Sequence, residues 1–222
     1  EMGSRRTHEW AAVGAARAAY IAGFSATSNL EAGRTYGIPT MGTAAHSFTL
    51  LHDSEEEAFR AQLGALGVDT TLLVDTYDIE AAIRKGIELT EGHLGAIRLD
   101  SGDLPVVARQ ARDLLDDLGA TETRITVTSD LDEWQIAALR GAPVDGFGVG
   151  TSLVTGSGHP TCGFVYKLVA RAGSSDKEAP KVPVGKHAGR PKVRHAPSRG
   201  RWQGRGRDHR AWSRASQRRK RP

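Results

Sequence analysis

Along the chain, short aliphatic runs alternate with longer segments whose apolar residues recur every three or four positions. "TTLLVDTYD" (70–78), "LGAIRLDSGD" (94–103), "TRITVTSD" (123–130) and "VDGFGVGTSLV" (144–154) read as strands that are apolar at first and polar at the end. Between them, "IEAAIRKGIELT", "LPVVARQARDLLDDLG" and "LDEWQIAALRG" read as amphipathic helices. Ahead of these, "SEEEAFRAQLGALG" has Ser and three acids at its start and Gly67 at its end, the marks of a helix with both termini defined. The Ala-rich "THEWAAVGAARAAY" (7–20) predicts a helix opened by a capping Thr. "TYGIPTMGTAAH" is a turn-rich connection.

Strands and helices in regular alternation predict repeated βαβ units and a parallel sheet, because parallel neighbours need a crossover of a dozen or more residues. Every strand ends in a polar cluster. That favours an α/β barrel, whose C-terminal strand ends converge on one face where active sites are assembled.

Charge divides the chain in two. From Lys181 onward there are 15 Lys and Arg against one acid, Asp208, so the first 180 residues carry a net charge of −10 and the tail +14. Residues 187 to 222 contain no Leu, Ile, Met, Phe or Tyr, a composition that buries no core, so the expected division is a barrel portion at 1–180 and a disordered basic tail at 181–222. No apolar run approaches the roughly 20 residues that span a bilayer, and the start has no signal-peptide pattern, which predicts a cytoplasmic protein. The single Cys162 excludes an internal disulfide and any cysteine-rich metal site. A patterned helix within a few residues of Glu1 is an abrupt start and predicts a truncated N-terminus.

Candidate chemistry lies at the strand ends. Arg98 and Asp100 are two apart and share a strand face, where an arginine beside a carboxylate can clamp a hydroxylated or anionic substrate. Asp103, directly before "LPVVARQ", reads as a helix cap. "GFGVGTSLVTGSGHP" carries Gly148, Gly150, Gly156 and Gly158, whose small size lets backbone amides approach an anion. The paired arginines of "MGSRRTHE" read locally as a solvated pair. His46, after a turn of small residues in "MGTAAHSF", reads locally as a structural histidine. HExxH, a nucleophile elbow and a dinucleotide-binding GxGxxG are all absent.

In order, "GSRRTH", "AARAAYIAGFSATSNL", "YGIPTMGTAAHSF", "VDTYD", "IRLDSGDL", "TSDLDE" and "FGVGTSLVTGSGHPTCGFVYKLV" resemble nicotinate phosphoribosyltransferase, from residue 1 to about Lys186. The resemblance implies an irregular (β/α) barrel of the type II phosphoribosyltransferases, incomplete here. It also implies joining of nicotinate to 5-phosphoribosyl 1-diphosphate with ATP and Mg²⁺, in a homodimer with shared sites. It places a phosphorylated catalytic histidine at His46 and a catalytic Asp100. Arg5 would meet the pyridine ring and Ser28 its carboxylate. Arg98 and Asp100 would hold ribose and diphosphate, and Asp130 with the amides around Gly148, Gly150 and Thr151 would receive the ribose and 5-phosphate. Thr43, Asp75, Ser101, Gly102 and Ser129 complete the expected substrate contacts, and no resident metal ligand set is implied.

Two departures from the resemblance are expected: a chain truncated ahead of "GSRR", where the family carries an N-terminal domain, and a pattern that stops after "KVPVGK". The second suggests an out-of-frame reading of a GC-rich gene. The competing expectation is an inactive fragment or non-catalytic paralogue whose Arg/Gly-rich tail, with Trp202 and Trp212, binds RNA.

Overall fold

The computed structural model describes residues 1–156, Leu168 and the two-residue strands Ala170–Arg171 and Val182–Pro183. Four strands, β1 (Thr71–Leu73), β2 (Ala96–Leu99), β3 (Arg124–Val127) and β4 (Gly146–Phe147), pair in parallel and in chain order. Chain order is what a barrel wall requires, whereas a doubly wound sheet reverses direction at a switch point. The register aligns Leu72, Ile97 and Ile125 side by side, all fully buried. Burying each such side chain stabilises the fold by about 1.5–3 kcal/mol.

The crossovers are α5 (Ile79–Leu89), between β1 and β2, and α6 (Leu104–Asp117), between β2 and β3. They cover the sheet with Ile83, Ile87, Ala108, Ala111 and Leu115, and each starts on a side chain cap. Asp78 accepts from the Ala81 amide at 2.8 Å, and Asp103 accepts from the Val106 amide at 3.3 Å, as expected for Asp103. Helix α4 (Glu55–Leu66) starts on Ser54 and ends at Gly67, whose φ of 78° only glycine adopts without strain. Helix α7 (Glu133–Ala138) opens with a reciprocal Asp132–Gln135 capping box. These helices start where the sequence pattern starts because a cap is a local interaction.

Helix α1 (Glu9–Ile21) presents Ala12, Ala16 and Ala19 to its neighbours, and Ala16 packs with Ala32 of α2 (Leu30–Tyr36) and with Ile38. Its cap is the side chain of His8, which accepts from the Trp10 amide, and not Thr7 as expected. From the connection "TYGIPTMGTAAH", Thr40 forms a one-residue parallel bridge with Thr27 of the preceding loop, and the connection leads into α3 (His46–Leu51).

Three expectations are corrected. Helices α2 and α3 have no counterpart in the sequence pattern. The expected helix 131–141 ends at Ala138 and tightens into a 3₁₀ turn, Leu139–Gly141. The expected strand 144–154 is two strand residues followed by helix α8 (Thr151–Thr155), since Gly148 and Gly150 offer no side chain to a pleated surface and the Val149 carbonyl accepts from the Met2 amide at 2.7 Å.

At the start of the expected tail, Val182–Pro183 (β6) pairs antiparallel with Ala170–Arg171 (β5). The rest of 181–222, with its expected disorder, and Gly158 and Cys162 lie outside the described residues. No helix among the described residues is long and apolar enough to cross a membrane.

Candidate active site

The polar strand ends meet on one side of the sheet. His46, the first residue of α3, follows the small residues Gly42, Thr43, Ala44 and Ala45, which lead the chain past the ends of β1 and β2. Its Nδ1 lies 3.2 Å from the Thr76 hydroxyl. Its Nε2 lies 3.5 Å from Asp100 Oδ2 and 3.7 Å from Asp75 Oδ1, both beyond good hydrogen-bond length, so this buried nitrogen makes no hydrogen bond. Two carboxylates on one side favour a proton on Nε2, an assignment that follows from the surrounding groups.

Asp75, fully buried just beyond β1, accepts at Oδ2 from the Ser101 hydroxyl and from the Asp100 amide at 3.2 Å. Asp100 itself accepts at Oδ1 from Thr128 and from Arg98 Nη2 at 2.8 Å. Burial alone would raise the Asp100 pKa. The His46 contact, the Arg98 charge and the hydrogen bonds from Thr128 and Arg98 outweigh it and hold this carboxyl ionised, well below the usual carboxylate range.

Arg98, expected to clamp a substrate, has four of its five N–H donors directed at the protein. Nε donates to Thr128 at 2.8 Å, Nη1 to the Thr43 hydroxyl and to the Ala44 carbonyl at 3.3 Å, and Nη2 to Asp100. One guanidinium therefore ties the loop before His46 to the ends of β2 and β3. Its planar fork reaches Thr43, Ala44 and Asp100 at once.

Beside this network is a cavity of about 190 Å³ lined by Met2, Arg5, Arg6, Asp100, Ser129, Asp130, Gly148, Gly150 and Thr151. The Thr151 hydroxyl lies 3.4 Å from Asp130 Oδ1. Ser129 has φ of 127°, a strained conformation for a residue with a side chain, at the tip of β3 where the wall of the cavity turns. Gly148 corrects an expectation. Its amide donates to the Val127 carbonyl at 2.9 Å and so extends the sheet, leaving it unavailable to an anion. Its missing side chain has a different reason, since a Cβ there would lie 2.5 Å from Thr128 Cγ2 and 2.9 Å from Met2 Sδ.

Of the residues singled out in the sequence, Thr43, Asp75, Arg98, Asp100 and Ser101 form the hydrogen-bonded network with His46 beside it, and Arg5, Ser129, Asp130, Gly148, Gly150 and Thr151 join Asp100 around the cavity. Gly102 lines a second cavity of about 330 Å³, with Asp103, Leu104 and Leu131, that shares Ser129 and Asp130 with the first. Ser28 lines neither cavity; its amide donates to the Glu1 carbonyl at 2.8 Å. Thr76, Thr128, Met2 and Arg6 were missed. The "SRR" pair and the threonines ending β1 and β3 were the available signal, and each also fits a plain solvated or turn role.

No family model matches the chain. The chain is 62% identical over 194 residues to a nicotinate phosphoribosyltransferase of Mycobacterium tuberculosis, covering 81% of this chain and 43% of that protein. It is 45% identical over 179 residues to the nicotinate phosphoribosyltransferase of Bacillus subtilis, covering 77% of this chain and 36% of that one. It thus spans about two fifths of the length of these relatives. Its fold is similar to the crystal structure of nicotinate phosphoribosyltransferase from Porphyromonas gingivalis, with a TM-score of 0.71 at 21% identity over 83% of this chain and 52% of that one. It is also similar to that of nicotinate-nucleotide pyrophosphorylase from Pyrococcus furiosus, with a TM-score of 0.64 at 27% identity over 68% of this chain and 41% of that one. Similarity of this strength along four fifths of its residues shows that the chain belongs to the nicotinate phosphoribosyltransferase family.

Proposed function

We propose that the protein is an ATP-coupled nicotinate phosphoribosyltransferase of NAD salvage. In this reaction the ring nitrogen of nicotinate forms a bond to C1 of 5-phosphoribosyl 1-diphosphate as the bond from C1 to diphosphate breaks. ATP phosphorylates His46, releasing ADP, and the phosphohistidine is later hydrolysed to phosphate. The observation that carries this reading is the enclosure of the His46 ring by Asp75, Asp100 and Thr76 at the strand ends, beside a cavity that has arginines on one side.

An imidazole takes a phosphoryl group on an unprotonated nitrogen, and the partners around His46 decide which one is free. Because Nε2 is buried between two carboxylates, it takes a phosphoryl group only if the ring first turns away from them. Asp100, held ionised, is suited to oppose positive charge that develops at the ribose as diphosphate departs.

Arg5 is the residue for the pyridine ring or its carboxylate, with Ser28 on the adjoining loop as the hydroxyl donor for that carboxylate. Ser129, Asp130, Gly150 and Thr151 are the residues for the ribose and its 5-phosphate. Arg98 serves as a positioning residue for Asp100.

The acidic groups suit Mg²⁺ in one way. Among the described residues no cluster of three or more His, Cys, Asp or Glu could hold a metal alone, and Mg²⁺ is commonly bound by one or two carboxylates together with substrate phosphates. Asp100 and Asp130 would hold it with the diphosphate, and it would supply charge neutralisation there.

Barrel closure, a homodimer and a cytoplasmic location belong to the same proposal. The exposed Trp10, Ile21 and Leu30 on α1 and α2 offer apolar surface for a partner or for further chain.

The test is formation of nicotinate mononucleotide from nicotinate, 5-phosphoribosyl 1-diphosphate and Mg²⁺, with and without ATP, by the full-length protein and its His46→Ala variant. The variant is expected to lose the ATP-stimulated rate. Retention of that rate would remove His46 from the reaction, and a wild type without product would refute the enzyme reading.

A further inference from the structure

Next to Met2, Arg5 and Arg6 of the cavity wall in the chain stands a buried acid, Glu1, that does not itself line the cavity. Glu1 is 5% exposed, and a buried carboxylate is tolerated only when it is hydrogen-bonded. Its Oε1 accepts from the Gly3 amide and its Oε2 from the Thr27 hydroxyl at 2.5 Å. Its carbonyl accepts from the Ser28 amide, so both its backbone and its side chain reach the same loop.

That loop is fastened in turn. The Thr27 hydroxyl oxygen accepts from the Asn29 amide at 3.0 Å, and Asn29 Nδ2 donates to the Ser4 hydroxyl at 2.9 Å. The Thr27 backbone pairs on both sides with the chain leading to Thr43, through Pro39 and Met41. On its other side the 1–6 segment is tied by the Met2 amide to Val149, and Gly3 lies so close to Val154 that a Cβ there would come within 2.2 Å of Cγ1. Ser4–Arg6 forms a 3₁₀ turn in which the Arg6 amide donates to the Gly3 carbonyl at 2.8 Å.

Among the described residues Arg5 shows no hydrogen bond or ion pair, so the direction of its side chain depends on the backbone of this turn. Glu1 is one of the groups that hold the backbone leading into this turn, through the Gly3 amide.

We infer that Glu1 is a positioning residue for the substrate cavity, clamping the Met2–Arg6 segment to the loop at 26–29 so that Arg5 and Arg6 face a carboxylate-bearing aromatic ring. The inference rests on the substrate reading above. Replacing Glu1 by Gln keeps its volume and can keep both contacts, its oxygen toward the Gly3 amide and its Nε2 toward the Thr27 hydroxyl, but it exchanges charge-assisted hydrogen bonds for weaker neutral ones. Thr27→Val removes the second partner and leaves Glu1 in place.

Two measurements on the full-length wild type and both variants decide it. The first is hydrogen exchange at the Arg6 amide, expected to quicken about tenfold in both variants, the effect of about one lost charge-assisted hydrogen bond, with the Ile97 and Ile125 amides unchanged. The second is the split between substrates. KM for nicotinate is expected to rise about tenfold while KM for 5-phosphoribosyl 1-diphosphate stays within about twofold.

Unchanged exchange at Arg6 overturns the inference, and so does an equal rise in both KM values, which would make Glu1 a plain structural residue. A wild type that turns over neither substrate refutes the enzyme reading instead, and the Arg6 amide then decides the clamp alone.

Discussion

Glu55 carries a pH dependence whose sign the structure sets. It opens α4, and its Oε1 is buried with no hydrogen-bond partner. Burial first, and then repulsion from the carboxylates of Asp78 and Asp75, push its pKa up from 4.5 to about 7. The folded chain therefore binds this proton more tightly than the unfolded chain does. The stabilisation is complete below the unfolded value of 4.5 and is lost as pH rises through about 7.

Taken whole, that displacement corresponds to roughly 3 kcal/mol, and screening by solvent around a partly exposed side chain leaves about 1–2 kcal/mol. Glu55→Gln removes the charge and keeps the shape. Urea unfolding of wild type and variant between pH 4.5 and 8.5 is the assay, with the difference between them isolating Glu55 from the other carboxylates. The two are expected to be close at the acid end, and the variant more stable by about 1–2 kcal/mol at the alkaline end. A difference that does not vary with pH, or a variant weaker than wild type at pH 8.5, would refute the reasoning.

Arg98→Lys leaves one ammonium where a fork bridged Thr43, Thr128 and Asp100; thermal unfolding is expected to show a loss of about 1.5–3 kcal/mol. The depressed pKa of Asp100 stabilises the fold above the ordinary carboxylate range and is lost as pH falls, so the same variant is expected to begin acid unfolding at a higher pH. Gly148→Ala drives a Cβ into Thr128 and Met2, and denaturant unfolding is expected to show a cost of about 1–3 kcal/mol. An unaltered stability there would mean that the Met2 segment yields freely.

The parts of the fold legible in the sequence are those governed by neighbours. Asp78 and Asp103 mark the starts of α5 and α6, and Ser54 with Gly67 brackets α4, because caps and left-handed ends are decided within four residues. The aliphatic runs around Leu72, Ile97 and Ile125 mark buried parallel strands, and their chain-order pairing follows from the alternation of elements. Helices α2, α3 and α8 are seven, six and five residues long, too short to display a period, and two of the three start beside glycines or alanines that suit turns equally well.

The site divides along the same line. Spacing alone put Arg98 and Asp100 on one face, and their side chains do bond each other. Where the remaining Arg98 donors go was decided by Thr43 and Thr128, brought in from 55 and 30 residues away. His46 had no local reading beyond a structural one, since Thr76, Asp75 and Asp100 reach it from the ends of separate strands. The glycine loop lines the cavity with Gly148 and Gly150, but the Gly148 amide belongs to the sheet, a pairing that no local pattern shows.

By itself the sequence determined the helices and strands that carry a clear period or a cap, and its ordered motifs named the family, because both are written in short stretches of chain. Only the tertiary structure decided which donors were already spent and which carboxylates crowd His46 and Glu55. Those interactions fall off within a few ångströms and join residues that the chain keeps tens of positions apart.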